Sequence, residues 1–409
     1  MGEHALGQPV PRSEDPRLLK GGGRYVDDVR LPGTAFGHVL RSPHPHARIA
    51  AIDTRAAAQM PGVLEVLTGQ DWAESGLGDI PGDRGFRKRD GSAMYVPPFP
   101  ALVKDEVRRV GDYVAFVVAE TVEAAKDAAE RIEVEYEPLP FVVDMEAALA
   151  EDAPAVWPDN PDNICFHHQA GNLAAVEEAF GRADHVVSHK FFINRITAAT
   201  TEPRGCTGHY DAFADRYTVY TTLQHANPFR TALARVFGIP ETRMRVVAGD
   251  IGGAFGMKSN IYPEVALALW ASKRLGRPVR WTCDRAEAFL TDCQARDNVT
   301  DAALALDKEG KFLALRVKNL VNLGSCMVQG GSNPAVGNIG TLAGVYTTPA
   351  IHTDITVVFT NTTPTRPYRG AGRPEAAYVI ERLVEMAADD LGMDPAALRR
   401  LNTIPPDAM

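Results

Sequence analysis

The sequence predicts an α+β protein, a small mixed α/β unit followed by a larger mixed α/β unit. Three observations carry that prediction. Apolar strand-like runs alternate with helical patterns along nearly the whole chain, punctuated by Gly/Pro clusters. The length, 409 residues, is more than one small core needs and points to several domains. A glycine loop, Val246 to Ser259, lies between a strand-like run and a strong helix, with four glycines in eight positions from Gly249 to Gly256. Such a loop lets a large ligand approach the main chain, and free amides in it are a seat for phosphate or oxo groups.

In order, residues 1–20 are polar and proline-containing and read as an extended arm. A first unit, 21–145, opens with Gly21 to Asp28 and holds strand runs at Ala35 to Arg41, Arg48 to Asp53 and Val63 to Thr68. Leu77 to Pro100 is rich in Gly, Pro and charge, which predicts a long surface loop. Tyr113 to Ala119 is a buried-strand run. Thr121 caps a helix over Val122 to Ile132, and Ile132 to Tyr136 alternates as a half-exposed strand. A short helix ends near Ala150, within a linker, 146–163, carrying prolines and acidic or amide residues.

The second unit, 164–403, begins with a helix at Leu173 to Phe180 and strands at His185 to Ile193, Gly205 to Asp211 and Tyr217 to Thr222. A helix, Ala226 to Phe237, precedes the glycine loop. The helix after it, Pro263 to Leu275, has Pro in its first turn and Gly276 past its end. Pro278 to Cys283, Asp301 to Ala305, Phe312 to Asn322 and Ile351 to Thr360 read as strands, and Gly324 to Gly344 as a glycine-rich loop. Glu375 to Leu391 places Ala376, Ile380, Leu383, Val384, Ala387 and Leu391 on one helix face, stopping at Gly392. A short helix, Pro395 to Leu401, precedes a tail, 404–409.

Composition excludes several classes. The net charge of −9 offers no basic footprint for nucleic acid. No apolar run approaches the roughly 18–20 residues of a membrane span. The N-terminus has neither the basic nor the apolar segment of a secretory signal, so the expected compartment is the cytoplasm. Cys165, Cys206, Cys283, Cys293 and Cys326 are scattered without a CxxC pair, which argues against structural zinc or an iron–sulfur cluster held by these residues. Reduced, buried thiols are expected.

Three stretches carry candidate chemistry: Thr221 to His225, the glycine loop, and Pro367 to Arg373. Each follows an expected strand and precedes an expected helix, so all three could offer amides at one sheet edge. Gln224 is a neutral donor suited to an oxo ligand, although a lone glutamine there is ordinarily a helix-start residue. Arg369 is a permanent cation fit for an anionic or carbonyl group, although a single arginine is ordinarily a surface partner. The glycine loop is close to a nucleotide-triphosphate loop. Met257, however, interrupts the required Gly-Lys-Ser, Phe255 is bulky for the cradle, and no clear acidic partner strand follows.

Together these stretches resemble the molybdopterin-binding large subunit of the xanthine dehydrogenase, aldehyde oxidase and carbon monoxide dehydrogenase family. The form II carbon monoxide dehydrogenase-like members are the nearest in pattern. Gly23 to Asp28 and Arg41 to Ile49 look like that family's α/β-hammerhead domain. Glu202 to Gly205, the Gln224 segment, Gly249 to Lys258, Tyr368 to Arg373 and Arg399 to Asn402 occur in the family's order. The resemblance implies a hammerhead domain over 21–145 and a first molybdopterin-binding domain over 164–403. It implies cofactor contacts at Gln224, Gly252, Gly253, Ala254, Phe255, Gly256, Gly370 and Arg400, with Gln224 and Phe255 beside the molybdenum's own ligands. Arg369 would orient substrate. The implied cofactor is molybdopterin with Mo, in its cytosine dinucleotide form. The implied reaction is hydroxylation with oxygen from water, electrons leaving through a [2Fe–2S] subunit to an FAD subunit.

The pattern also departs from the family. Ser259 stands where purine oxidisers carry a glutamate, which disfavours xanthine. Gly370 stands where carbon monoxide oxidisers carry a copper-binding cysteine, so an aldehyde or N-heterocycle fits better. The family's second cofactor domain, with the glutamate general base, has no counterpart here, and Glu202 and Asp250 do not match that base. A gene split into two chains, a truncation, or a decayed paralogue would each account for this. The expected function is therefore a hydroxylase subunit completed by a second chain; the alternative is a non-catalytic fragment with a binding or assembly role.

Overall fold

The computed structural model describes residues 7–408; residues 1–6 of the expected arm and Met409 of the expected tail lie outside them. Three sheets organise the chain. The largest has seven strands in the order Met244–Val247, Arg216–Thr221, Gly205–Asp211, Val279–Thr282, Ala35–Arg41, Tyr113–Ala119 and Val63–Thr68. Ala35–Arg41 pairs in parallel with Val279–Thr282 and antiparallel with Tyr113–Ala119. The two units expected from sequence therefore share one continuous sheet. Tyr113–Ala119 is buried at every position, as a strand covered on both faces must be. Helix Pro263–Leu275 is buried from Pro263 to Ser272 and packs against Gly205–Asp211.

The second sheet orders Ile164–Gly171, Ala350–Val358, Phe312–Asn322, Asn298–Leu306 and His185–Ile193. Helix Arg373–Leu391 covers one face, burying Ala376, Ile380, Leu383, Val384 and Ala387, with Leu391 packed partly against them. A small third sheet joins Glu106–Val107, Ala47–Asp53 and Glu133–Pro138. No helix among the described residues is long and apolar enough to cross a membrane. All five cysteines are buried, and burial pushes the Cys326 thiol up to about 12.

Several expectations need correction. The arm is not extended throughout: Asp15–Leu19 forms a short helix with Pro16 in its first turn. Leu77 to Pro100 is irregular and largely exposed from Arg84 to Ala93, but it is anchored in the core rather than free on the surface. Ile80, Met94 and Phe99 are buried, and the Asp83 carboxylate accepts from the main-chain amides of Gly330 and Ser332. The linker packs as well, with Val156, Asn160 and Asn163 buried; the Asn163 Oδ1 accepts from Val156 N at 2.8 Å. The Asn163 side chain satisfies internal backbone groups rather than water, its Nδ2 donating to Ala148 O and Pro154 O. A helix at Arg285–Thr291 was not anticipated, although Asp284 caps it and Glu287 falls three residues later, a readable start signal.

One buried ionic cluster ties the parts together. Glu264, in the first turn of Pro263–Leu275, is fully buried. Its Oε1 accepts from Arg41 Nη2 at 2.7 Å and its Oε2 from Arg204 Nη1 at 2.9 Å. Arg41 also reaches Glu287 at 2.6 Å, while Arg204 reaches Asp292 at 2.6 Å and Thr291 Oγ1 at 2.8 Å. Arg41 lies over the Tyr113 ring and Arg204 over that of Tyr262. Burial alone would raise the Glu264 carboxyl; the Arg204 and Arg41 guanidiniums outweigh it and hold it at about 2. Burial pushes Glu287 upward despite Arg41.

Glu264→Gln leaves two buried guanidiniums without their shared anion and is expected to cost about 3–5 kcal/mol in urea unfolding. Glu287→Gln should cost clearly less, and an equal or reversed order would sink this account of the cluster. Stability is also expected to fall with acid in two stages. Burial lowers the imidazole of His38, on Ala35–Arg41, from 6.5 to about 4, so the unfolded chain takes up that proton first as pH falls through this window. The depressed Glu264 carboxyl contributes fully above its ordinary 4.5, and that contribution is lost on the way down to about 2. His38→Gln should flatten the upper stage and leave the lower one, as read by urea midpoints across pH.

Candidate functional site

Three loops meet beside helix Ala226–Phe237. Gln224 follows strand Arg216–Thr221, and the glycine loop follows Met244–Val247; both strands lie at one end of the seven-stranded sheet. Pro367 to Arg373 follows Ala350–Val358, from the five-stranded sheet. The loops therefore gather from two sheets rather than along one edge, which corrects the expectation.

Two main-chain contacts join them. Gly256 N donates to Gln224 Oε1 at 2.8 Å, and Arg369 N donates to Phe255 O at 2.8 Å. Because a backbone N–H must face the oxygen of the Gln224 amide, its Nε2 is left as a donor, and it has no partner among the described residues. Gly256 sits at φ +102°, and a Cβ there would lie 2.3 Å from Pro367 O. Only glycine allows this approach. Phe255 and Ala371 hold φ of 51° and 44°, left-handed conformations unusual for side-chain-bearing residues.

The amides of Gly253, Ala254 and Phe255 have no intramolecular acceptor among the described residues, whereas Gly252 N donates to Glu202 Oε2 at 2.7 Å and Met257 N to Ala254 O. Three successive amides of a half-buried loop thus lack an intramolecular acceptor. Phe255 is 42% exposed, with its ring centroid 6.4 Å from that of Tyr368. Arg369 is exposed, and its guanidinium makes no ion pair or hydrogen bond among the described residues. Arg296 fixes it from behind: Nη2 donates to Arg369 O at 3.1 Å, Nη1 to the buried Glu375 at 2.7 Å, and the guanidinium lies over Tyr368. Gly370 forms the turn into helix Arg373–Leu391, with φ +97°.

The carboxylates of this region serve the scaffold. Glu202 accepts from Gly252 N, and the buried Lys258 ammonium donates to Glu202 O at 2.7 Å. Burial lowers the Lys258 ammonium below its ordinary value. A cavity of about 590 Å³ opens between the loops, lined by Gln224, Gly256, Ser259, Asn260, Gln329 and Pro367 among others. Gln329 Oε1 is buried there without a hydrogen-bond partner, an acceptor open to a donor from a ligand. Sequence reasoning missed Gln329, Asn260 and Arg296, since no local spacing marks them. Arg400 is not brought here. It is exposed on helix Pro395–Asn402, with no side-chain hydrogen bond or ion pair among the described residues, while its neighbour Arg399 pairs with Glu381 and Glu385.

This fold and loop geometry define a molybdopterin-binding protein. The molybdopterin cofactor-binding domain model matches residues 156–403, and the a/b hammerhead domain model of aldehyde oxidase and xanthine dehydrogenase matches residues 20–140. The chain belongs to the xanthine dehydrogenase and aldehyde oxidase family of molybdopterin-binding large subunits. It is similar to the quinoline 2-oxidoreductase of Pseudomonas putida 86, with a TM-score of 0.91 and 34% identity over 100% of this chain and 51% of that one. The carbon monoxide dehydrogenase large chain of Hydrogenophaga pseudoflava is 36% identical over 98% of this chain and 51% of its own length. This chain thus spans about half the length of those relatives. The nicotinate dehydrogenase large molybdopterin subunit of Eubacterium barkeri is 29% identical over 97% of this chain and 89% of its own.

Gly256→Ala is expected to displace the Pro367–Arg369 main chain and to destabilise the protein by about 2 kcal/mol or more. Arg296→Ala should leave Arg369 less ordered and strip Glu375 of its buried partner, costing about 3 kcal/mol. Thermal unfolding with near-ultraviolet circular dichroism measures both; a silent Gly256→Ala would contradict the close approach described.

Proposed function

We propose that this chain supplies one half of a molybdenum hydroxylase centre. A second polypeptide carrying the remaining cofactor domain completes it, and the substrate is an aldehyde or N-heterocycle oxidised with water as oxygen source. The observation that carries the proposal is the joining of three loops: Gln224, which lines the cavity, accepts from Gly256 N, the unbonded amides of Gly253, Ala254 and Phe255 precede that glycine, and Arg369 N donates to Phe255 O. The donor set suits the group. Free amides and a neutral amide donor match an anionic, oxo-rich cofactor, and the orphaned Gln329 acceptor matches a ring N–H such as a pterin carries.

In this reading Gln224, Gly252 to Gly256 and Gly370 hold the cofactor, molybdopterin as its cytosine dinucleotide, with Gln224 and Phe255 nearest the metal. When bound, the cofactor supplies a Lewis-acidic, two-electron redox centre for hydroxylation. Gln224 Nε2 donates to an oxo acceptor while Gly256 N keeps that amide from turning. Arg369, held through both its amide and its carbonyl, binds a carbonyl or anionic substituent of the substrate. The Phe255 and Tyr368 rings, tilted 58° to each other, offer apolar surface to a planar substrate. Gly370 supplies no thiol for copper, which disfavours carbon monoxide despite the likeness to its dehydrogenase. The general base resides on the completing chain, and electrons pass to [2Fe–2S] and FAD subunits of a cytoplasmic complex.

Two relatives support the N-heterocycle choice by their names, quinoline 2-oxidoreductase and nicotinate dehydrogenase. The latter also supports the divided architecture, because a named molybdopterin subunit is nearly covered by a chain of this length.

The test is molybdenum content by elemental analysis, on this chain alone and co-expressed with a chain bearing the second cofactor domain. Metal in the complex is expected, and Gln224→Ala should retain about tenfold less of it. In the loaded complex, Arg369→Ala should raise KM by about tenfold or more for carboxylated heterocycles, with a smaller change in kcat. A metal-free complex from a host that loads a sister enzyme would leave only a binding or assembly role.

A further inference from the structure

Gly21 to Asp28 is a motif that takes no part in the cavity, and Asp250 is a loop carboxylate that does not line it. The two are bound to each other. Arg17 Nη1 and Nη2 donate to the two Asp250 oxygens at 2.8 and 2.7 Å, a bidentate pair across 233 positions of sequence. Arg24 N donates to the same carboxylate at 2.7 Å, and Asp250 N returns a hydrogen bond to Arg24 O at 2.9 Å. Gly249 passes so close that a Cβ would lie 2.3 Å from Arg24 O. Glu202 repeats the arrangement one step along: its Oε2 accepts from Gly252 N and its Oε1 from Val26 N at 3.3 Å.

The segment is anchored at both ends. Arg17 Nη1 also donates to Gly22 O at 2.8 Å, which folds the intervening residues back on themselves. Beyond Val26, Asp27 Oδ1 accepts from Arg280 Nη2 at 2.6 Å and Thr282 Oγ1 at 3.0 Å, both on strand Val279–Thr282. Residues 17–27 therefore run from the central sheet to the entrance of the glycine loop.

We propose that residues 17–27 form a strap that presets the glycine loop before any ligand arrives, with Arg17 a positioning residue that acts through Asp250. A loop with four glycines loses much conformational freedom when it is ordered. Ordering it in advance lowers what a ligand must spend on binding. The strap occupies the amide of Asp250, Glu202 occupies that of Gly252, and those of Gly253, Ala254 and Phe255 stay without an intramolecular acceptor, so the loop is fixed without being filled. Arg17 is neutralised by Asp250, so its effect on the loop is positional rather than a field on the ligand. Its hydrogen bonds, then that from Arg24 N, hold the Asp250 carboxyl well below the usual carboxylate range. The strap's contribution is then complete above the ordinary 3.8 and is lost only as pH falls below it. The strap rests on the proposed function only for the identity of the ligand the loop receives.

The test is amide hydrogen exchange on the purified chain without cofactor, comparing residues 249–256 with helix Ala226–Phe237. Arg17→Gln is expected to speed exchange at Asp250, Gly252 and Gly256 by about tenfold, with the helix and the urea midpoint unchanged. Arg17→Lys, which keeps the charge but loses the fork, should fall between, and serves if the glutamine variant folds poorly. Asp250→Asn should match Arg17→Gln, and the double variant should add nothing further. Unchanged loop exchange, or an equal rise in the helix, would overturn the strap. In the co-expressed complex, Arg17→Gln should release pterin faster than the parent on dialysis. If the parent complex holds no molybdenum, the functional reading falls while the exchange result still decides the strap.

Discussion

The structure depends most on the burial of Glu264 between two guanidiniums. Arg41 comes from the first unit of the chain, and Arg204 from the second. A buried carboxylate tolerates this only with both cations and full hydrogen bonding, so its position fixes theirs. Glu264 lies in the first turn of helix Pro263–Leu275, and the glycine loop ends just before that helix. The same contact that ties the end of strand Ala35–Arg41 to Arg204, at the start of Gly205–Asp211, thus sets where the loop must arrive. Tyr113, Tyr262 and the Asp292 and Glu287 carboxylates enclose the cluster and keep water from competing.

From that fixed point the site is assembled through main-chain contacts rather than side-chain packing. Gly256 against Pro367, Arg369 N on Phe255 O and Arg296 on Arg369 O lock three loops of separate origin. The left-handed Phe255 and Ala371 are the local cost of that closure. In return, a ring, a guanidinium and a row of free amides are held on main chain that has little freedom to relax. Arg17 and Glu202 work at the far end of the same loop, so each side of the free amides is pinned.

Much of this was legible in the residues. Most strand and helix positions from Ala35 to Asn402 follow from period and punctuation, though strand Ile164–Gly171 and helices Gly69–Glu74 and Arg285–Thr291 did not, and Arg373–Leu391 buries the apolar face that its spacing marks, up to a partly covered Leu391. The Gln224, glycine-loop and Arg369 stretches were recognisable because each is a strand-to-helix turn with unusual composition, and they do converge. Arg400 did not follow, since a motif's order along the chain says nothing about which way one helix residue faces. The packed linker was missed because a polar residue such as Asn163 looks solvated until its buried backbone partner is known.

The sequence by itself determined most of the element order, the family to which the chain belongs and the residue types available at the loops. Those properties rest on local propensity, period and motif order, which neighbouring residues encode. Only the tertiary structure decided that one sheet runs through both units, that Glu202 and Asp250 brace the loop, and that Gln329 presents an open acceptor. Each of these depends on pairs far apart in the chain, such as Arg17 with Asp250 or Ala35 with Val279. Their energies come from burial and exact hydrogen-bond geometry, which exist only once the chain has closed on itself.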